Sequence, residues 1–306
     1  MTLLAGMIAR AAQEAAGHAP AAEAGKFDLG ELIMHHLTDS HEIELPFFLG
    51  TWHLPQGWLV NLGPLGVVDL APTKHAVLLV LAAILCMLVF IPLASAARRR
   101  QEGEAPKGLP GVMEELVLYF RDEVVRRNIG HGADAFAPYI LTLFFFILFM
   151  NLIGLVPWGG SATGNLAVTA GLALCSFVLV EISGMRALGF SGYMHTIFFA
   201  PPGMSGIGKA LMLVIMTPVE FLGKLTKPFA LTIRLFANMT AGHTLIFALG
   251  GLIFVFANIY AAGGVAVVGG VMAFAVMGLE LGVAFLQAYV FAMLTAVFIG
   301  LIRHAH

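Results

Sequence analysis

The sequence predicts an all-α, polytopic membrane protein, and three observations carry that prediction. Only 11% of the 306 residues are Asp, Glu, Lys or Arg, while 59% are apolar. The charges are swept out of whole runs, 75–97, 135–180, 235–279 and 281–302, each at least as long as the roughly 20 residues that cross about 30 Å of hydrocarbon as a helix. These runs lack the short alternating pattern of a membrane barrel, and lipid tolerates no unpaired backbone groups, so helices are the consistent solution. A formal net charge of -2 from 16 basic and 18 acidic residues supplies no field for nucleic-acid phosphates, which excludes DNA and RNA as partners. The two cysteines, Cys86 and Cys175, both sit in apolar stretches and argue against a disulfide framework or a thiolate metal site.

Residues 1–73 read as an extramembrane segment and 74–306 as the membrane domain. The first segment holds Arg10 and Lys26 against eight acidic residues. Thr2 to Ile8 is too short an apolar core for a signal peptide. The Ala-rich start through Ala24 is expected to be loosely ordered and Phe27 to Leu37 to form a short helix, while Leu45 to Val68, with Trp52 and Trp58, suits a headgroup layer. His35, His36, His41 and His53 match no standard metal-site spacing, so no metal and no cofactor is expected.

The first span runs from His75 to about Ala97 and ends in Arg98, Arg99 and Arg100, a basic flank that places this end on the cytoplasmic side and the N-terminal segment outside. Val112 to Asn128 then reads as an amphipathic helix on the inner surface: Met113, Leu116, Val117, Phe120 and Val124 form a stripe, and Glu114, Glu115, Arg121, Asp122 and Arg126 face elsewhere. A second span is expected from about Pro138 to Trp158, an uncharged outer turn from Pro157 to Asn165, and a third span from about Leu166 to Ser183. Ile207 to Tyr260 forms one long helical element or two joined pieces, followed by a Gly-rich turn, Ala261 to Gly270, and a last element from Val271 to Ile302. Fifty helical residues extend about 75 Å. Either the long element is steeply tilted and makes one of five crossings, with a cytoplasmic C-terminus, or it breaks near Pro228 into two.

The unusual feature is a polar stripe in that long element. On a helical wheel centred on Arg234, Glu220 and Asn238 fall at about +40 degrees, Lys227 at about +20 and Lys224 at about +80. Each charge at membrane depth costs roughly 2.5 to 3.5 kcal/mol on insertion scales. A structural reading serves some of them: Lys224 can pair with Glu220 four residues earlier, and Lys227 can snorkel to the interface. Arg234 is about 21 Å from Glu220 along an ideal helix, and no acidic residue lies on a neighbouring turn, so its carboxylate partner is expected on another subunit. Arginine keeps its charge, attracts an ionised carboxylate and is unsuited to passing protons on. With antiparallel long elements joined outside, His243 and Glu280 lie toward the outer end and Glu220 toward the inner one. Titratable groups on both sides of a fixed cation meet the requirement of two offset half-channels. A transporter built on inverted repeats would need a twin of the Glu220 to Asn238 element in the first half, and a scaffold would need no charges at this depth.

The run Lys227-Pro-Phe-Ala-Leu-Thr-Ile-Arg-Leu-Phe-Ala-Asn-Met-Thr-Ala-Gly-His243 resembles the a subunit of F-type ATP synthases, with Arg-Leu-Phe-x-Asn-Met as its specific core. Asn151-Leu-Ile-Gly-Leu-Val-Pro157 and the segment from Glu280 through Leu286-Gln-Ala288 are similar too, and the resemblance covers about residues 75–303. It implies a non-catalytic subunit of a bacterial inner membrane, whose last two long tilted helices form a hairpin against a ring of c subunits, with b-type peripheral-stalk subunits, lipid and transported protons as further partners. Arg234 would face the ring carboxylate with Asn238 near it. Glu220 would belong to the cytoplasmic path, and His243, Glu280, Gln287 and Asn151 would line or border the outer path. Many members carry Glu where this chain has His243 and His where it has Glu280, so the pair keeps one of each type. Ala230 stands where some members have serine. The absence of an evident sodium cage favours protons.

Overall fold

The computed structural model describes residues 42–44, 51–55, 59–61, 67–69, 71–99, 108–156, 160–198, 206–255 and 262–304. The expected helix from Phe27 to Leu37, the loose Ala-rich start and Arg100 lie outside these residues. Among the described residues, two short antiparallel strand pairs come before Lys74, a feature absent from the sequence reading. Strand β1 (Glu42–Glu44) pairs with β2 (Thr51–His53), Ile43 opposite Trp52, and β3 (Leu59–Asn61) pairs with β4 (Val67–Asp69), Val60 opposite Val68.

Among the described residues seven α-helical elements follow: α1 (Lys74–Arg99), α2 (Leu109–Tyr119), α3 (Arg127–Ile129), α4 (Ala137–Gly154), α5 (Leu166–Ile197), α6 (Ile207–Val255) and α7 (Ala262–Arg303). Among the described residues, four helical stretches are long and apolar enough to cross a membrane, Lys74–Arg99, Ala137–Gly154, Leu166–Ile197 and Val267–Arg303. Helix α6 is set apart from these by Glu220, Lys224, Lys227 and Arg234.

The amphipathic segment departs from a uniform helix. Between α2 and α3 the residues Phe120–Arg126 form a π-helical stretch that buries Phe120, Val124 and Val125. The wider turn brings Val125 beside Val124 on the buried side, which a strict 3.6-residue stripe does not do. Helix α5 runs on past Ser183 but kinks at Gly189, where φ 71° and ψ 166° leave the helical region, before a second helical piece reaches Ile197. Its buried positions Thr169, Ala173, Ser176, Val180 and Ser183 follow helical spacing and are mostly small, which permits close approach of neighbours.

Helix α6 continues for 49 residues through both Pro218 and Pro228. The break near Pro228 does not occur, and Thr232 Oγ1 donates to the Pro228 carbonyl at 2.9 Å. The Gly-rich turn expected from Ala261 to Gly270 is also corrected, because Ala262 already begins α7. Without water to reward unwinding, a glycine run stays helical where its backbone groups must bond one another.

The chain divides into two compact units. One comprises Met1–Leu79, Met150–Asn165 and Ala237–Phe285, and the other Val80–Phe149, Leu166–Phe236 and Leu286–His306. In the second unit the core is aromatic: Phe120 packs on Phe144 with ring centroids 4.2 Å apart and meets Tyr289 edge-on at 5.7 Å, while Phe145 contacts Phe90 at 4.5 Å. The end of α7 closes on α3. A β-carbon at Gly300 would overlap the Asn128 carbonyl oxygen, and one at Gly184 would press on Ile302. In the first unit Gly154 lets the end of α4 meet Ser161, and Gly160 leaves room for the Lys74 side chain. By contrast a β-carbon at Gly270 or Gly278 would meet nothing within 4 Å.

Candidate functional site

The second unit holds a cavity of about 280 Å³ whose polar lining is Ser176, Glu181 and Thr196 from α5, Glu220, Lys224 and Lys227 from α6 and Thr295 from α7. Lys224 does not pair with Glu220. Its Nζ lies 3.5 Å from Glu181 Oε2, donates to Thr196 Oγ1 at 3.2 Å and sits 4.3 Å above the Tyr193 ring. The Tyr193 hydroxyl donates to the same Glu181 oxygen. With the two charged side chains only 10% and 13% exposed, each ion is stripped of water, and this arrangement supplies the counter-charge and hydrogen bonds that such burial demands. Lys227 places its ammonium 5.2 Å from the Phe298 ring centroid, a cation–π contact rather than an ion pair. Glu220 borders the cavity, is exposed and makes no ion pair among the described residues.

Arg234 is exposed on α6 and likewise makes no ion pair among the described residues. Its helix buries Leu231, Thr232 and Leu235, while Phe229 and Ile233 remain exposed beside it. Gln287 is buried in the same unit.

The first unit assembles a different cluster. Asn151, with no exposed surface, donates Nδ2 to the Ala284 carbonyl at 3.1 Å and accepts the Thr163 hydroxyl on Oδ1 at 2.8 Å. Thr163 also meets the Ser161 hydroxyl at 2.8 Å. The Glu280 carboxylate fills the space beside Gly242 that a β-carbon would take. Glu280 Oε2 and His243 Nε2 are buried and have no hydrogen-bond partner among the described residues. Asn238 is exposed on α6.

Asn151, His243 and Glu280 therefore fall in this unit, while Arg234, Glu220 and Gln287 belong to the other. Sequence reasoning missed Glu181, Tyr193, Thr163 and Gly242. The signal for Glu181 was available, since it is the acid that ends the charge-free run 135–180. His53 lies on β2, and His35, His36 and His41 fall outside the described residues.

Residues 77–300 match the family described as ATP synthase A chain. The chain belongs to that family. Among its relatives, ATP synthase subunit a of Chloroherpeton thalassium is 44% identical over 268 residues, 88% of this chain and 75% of the relative. ATP synthase subunit a 2 of Chlorobaculum tepidum is 43% identical over 294 residues, 96% and 78% of the two chains. The subunit a of Myxococcus xanthus is 49% identical over 238 residues, 77% and 74% of the two. As a member of the ATP synthase A chain family, this chain is a non-catalytic, multi-pass subunit of the bacterial cell membrane with a role in proton translocation. The matched region contains every charged residue of α6 and the whole Asn151 to Glu280 cluster.

Proposed function

We propose that this subunit couples transmembrane proton flow to rotation of a c-subunit ring, and so to ATP synthesis, through two offset half-channels separated by Arg234. The observation that carries the reading is an exposed arginine on an apolar helix, flanked by exposed Phe229 and Ile233 and lacking a carboxylate partner within the described chain. A permanent cation so placed has its natural counter-charge on a neighbouring subunit. In this reading α6 makes the fifth crossing, steeply tilted, and α6 and α7 form a hairpin against the ring. Residues 1–73 lie outside the cell membrane, residues 74–306 form the membrane domain, the amphipathic segment near 112–128 rests on the inner surface, and the C-terminus is cytoplasmic. Peripheral-stalk subunits of b type and lipid complete the surroundings.

The proton enters from outside by way of His243 and Glu280, bordered by Asn151 and Gln287, and neutralises a ring carboxylate, which then turns into lipid. On its return that carboxylate loses the proton to the inner path at Glu220 as it meets Arg234, with Asn238 nearby. The arginine stabilises the ionised ring site and blocks direct leakage between the paths. Each elementary charge crossing 100 mV supplies about 2.3 kcal/mol, so a leak-free barrier is a requirement of coupling. Replacing Arg234 by Ala or Glu in the reconstituted complex is expected to abolish ATP-driven proton pumping. Pumping at the wild-type rate would overturn the proposal.

A further inference from the structure

The preferred helical partner of Lys224 is Glu220. A glutamate four residues N-terminal to a lysine is the favourable order for an ion pair on one helix face, and both side chains border the same cavity. The pair is nevertheless unmade, because Glu181 from α5 takes the ammonium in an ion pair at 3.5 Å, with Thr196 accepting a hydrogen bond from it at 3.2 Å and the Tyr193 ring beneath it. Tyr193 in turn holds Glu181 by donating its hydroxyl to the carboxylate. Lys227, the other ammonium of the lining, is engaged with Phe298. Both cations are thus tied down by groups other than Glu220.

We infer that Glu181 is a positioning residue for proton transfer: by holding Lys224 against Tyr193 and Thr196, it keeps the Glu220 carboxylate free of a permanent ion pair and open to proton exchange through the cavity. This inference rests on the inner-path role proposed for Glu220. An ammonium in direct contact favours the ionised form of a carboxylate and weakens its capacity to take up a proton. In surroundings of low polarity such a contact is also hard to break once formed. With the charge of Glu181 removed, Lys224 loses its partner and Glu220 becomes the nearest acid on its own helix.

The test compares ATP-driven proton pumping by vesicles carrying equal amounts of the complete complex. Glu181→Gln is expected to slow pumping about tenfold, the effect of a single unit of altered proton affinity at the exchange step. Adding Lys224→Met removes the misplaced cation, and the double variant is expected to pump at the rate of Lys224→Met alone. That suppression is a readout which loss of packing would not produce. Wild-type pumping by Glu181→Gln, or a double variant as slow as Glu181→Gln itself, would overturn the inference. Should Glu181→Gln fail to assemble, the same pair of measurements is made on Glu181→Asp, which keeps the charge but shortens its reach. A parallel Glu220→Gln variant separates the two readings. If it pumps normally, the inner-path role of Glu220 is wrong. If it is slow while Glu181→Gln is fast, only the positioning role fails.

Discussion

The carboxylate of Glu280 rests against the backbone of Gly242, in the space that a β-carbon would occupy. Glycine therefore has a positive function at this position of α6: it is the residue type that lets an acid from α7 approach so closely. One oxygen of that acid, Oε2, is left without a hydrogen-bond partner among the described residues, as is His243 Nε2 on the next residue of the chain. Two buried polar atoms left unmatched so close together in the sequence call for a reason beyond packing, and the outer-path role proposed above supplies one.

Gly242→Ala is expected to displace Glu280 and to slow proton pumping about tenfold, as a shift of one unit in the proton affinity of Glu280 would do. The backbone alone would predict the reverse sense for stability, since alanine favours a helix over glycine by roughly 1 kcal/mol. Gly278→Ala on α7 is the control, because its β-carbon meets nothing within 4 Å. Pumping assays on both variants in the assembled complex decide the matter, and equal rates would refute the assignment.

Thr163→Val leaves Asn151 Oδ1 without the donor that now reaches it at 2.8 Å. Leaving a buried acceptor unmatched costs about 1–3 kcal/mol, so the thermal unfolding midpoint of the purified protein should fall. Thr163→Val combined with Asn151→Leu should be less destabilising than the sum of the two single changes, as a double-mutant cycle on that midpoint would measure.

Outside the membrane spans, Arg126 donates to Asp134 Oδ1 at 2.8 Å and to Asp122 Oδ1 at 2.9 Å. The hydrogen bond from Arg126 holds the Asp134 carboxyl below its ordinary range, and those from Arg121 and Arg126 do the same for Asp122, with Arg121 the larger influence. A lowered native value means that the stabilisation is fully present above the unfolded aspartate value near about 3.9 and is lost as pH falls through the native value. Unfolding midpoints of wild type and Asp134→Asn should therefore differ slightly at neutral pH and converge in acid. The difference should also shrink in about 1 M salt, where the screening length is about 3 Å.

The apolar helices were legible because a membrane crossing is written in composition. The charge-free runs 75–97 and 281–302 fall inside α1 and α7. The polar stripe of α6 was equally plain, since charges stand out in so apolar a chain. What could not be read is of two kinds. Local changes of hydrogen-bond step, such as the π-helical Phe120–Arg126, alter no residue preference strongly enough to show. Long-range choices among partners, such as Lys224 taking Glu181 rather than Glu220, depend on which helix face meets which, information that periodicity within one helix does not contain. The glycines of Ala262 to Gly270 misled for a third reason: rules learned in water make glycine a breaker, and lipid weakens that penalty.

Gly300 seats the last helix on the Asn128 carbonyl, and neighbouring contacts bring His304 beside Gly130 and Arg303 beside Gly132. Most of the second unit's sequence has been synthesised before these partners exist, because a nascent chain emerges from its N-terminal end. The Asn128 carbonyl therefore stays bare until the far end of α7 has been made and has folded back against it.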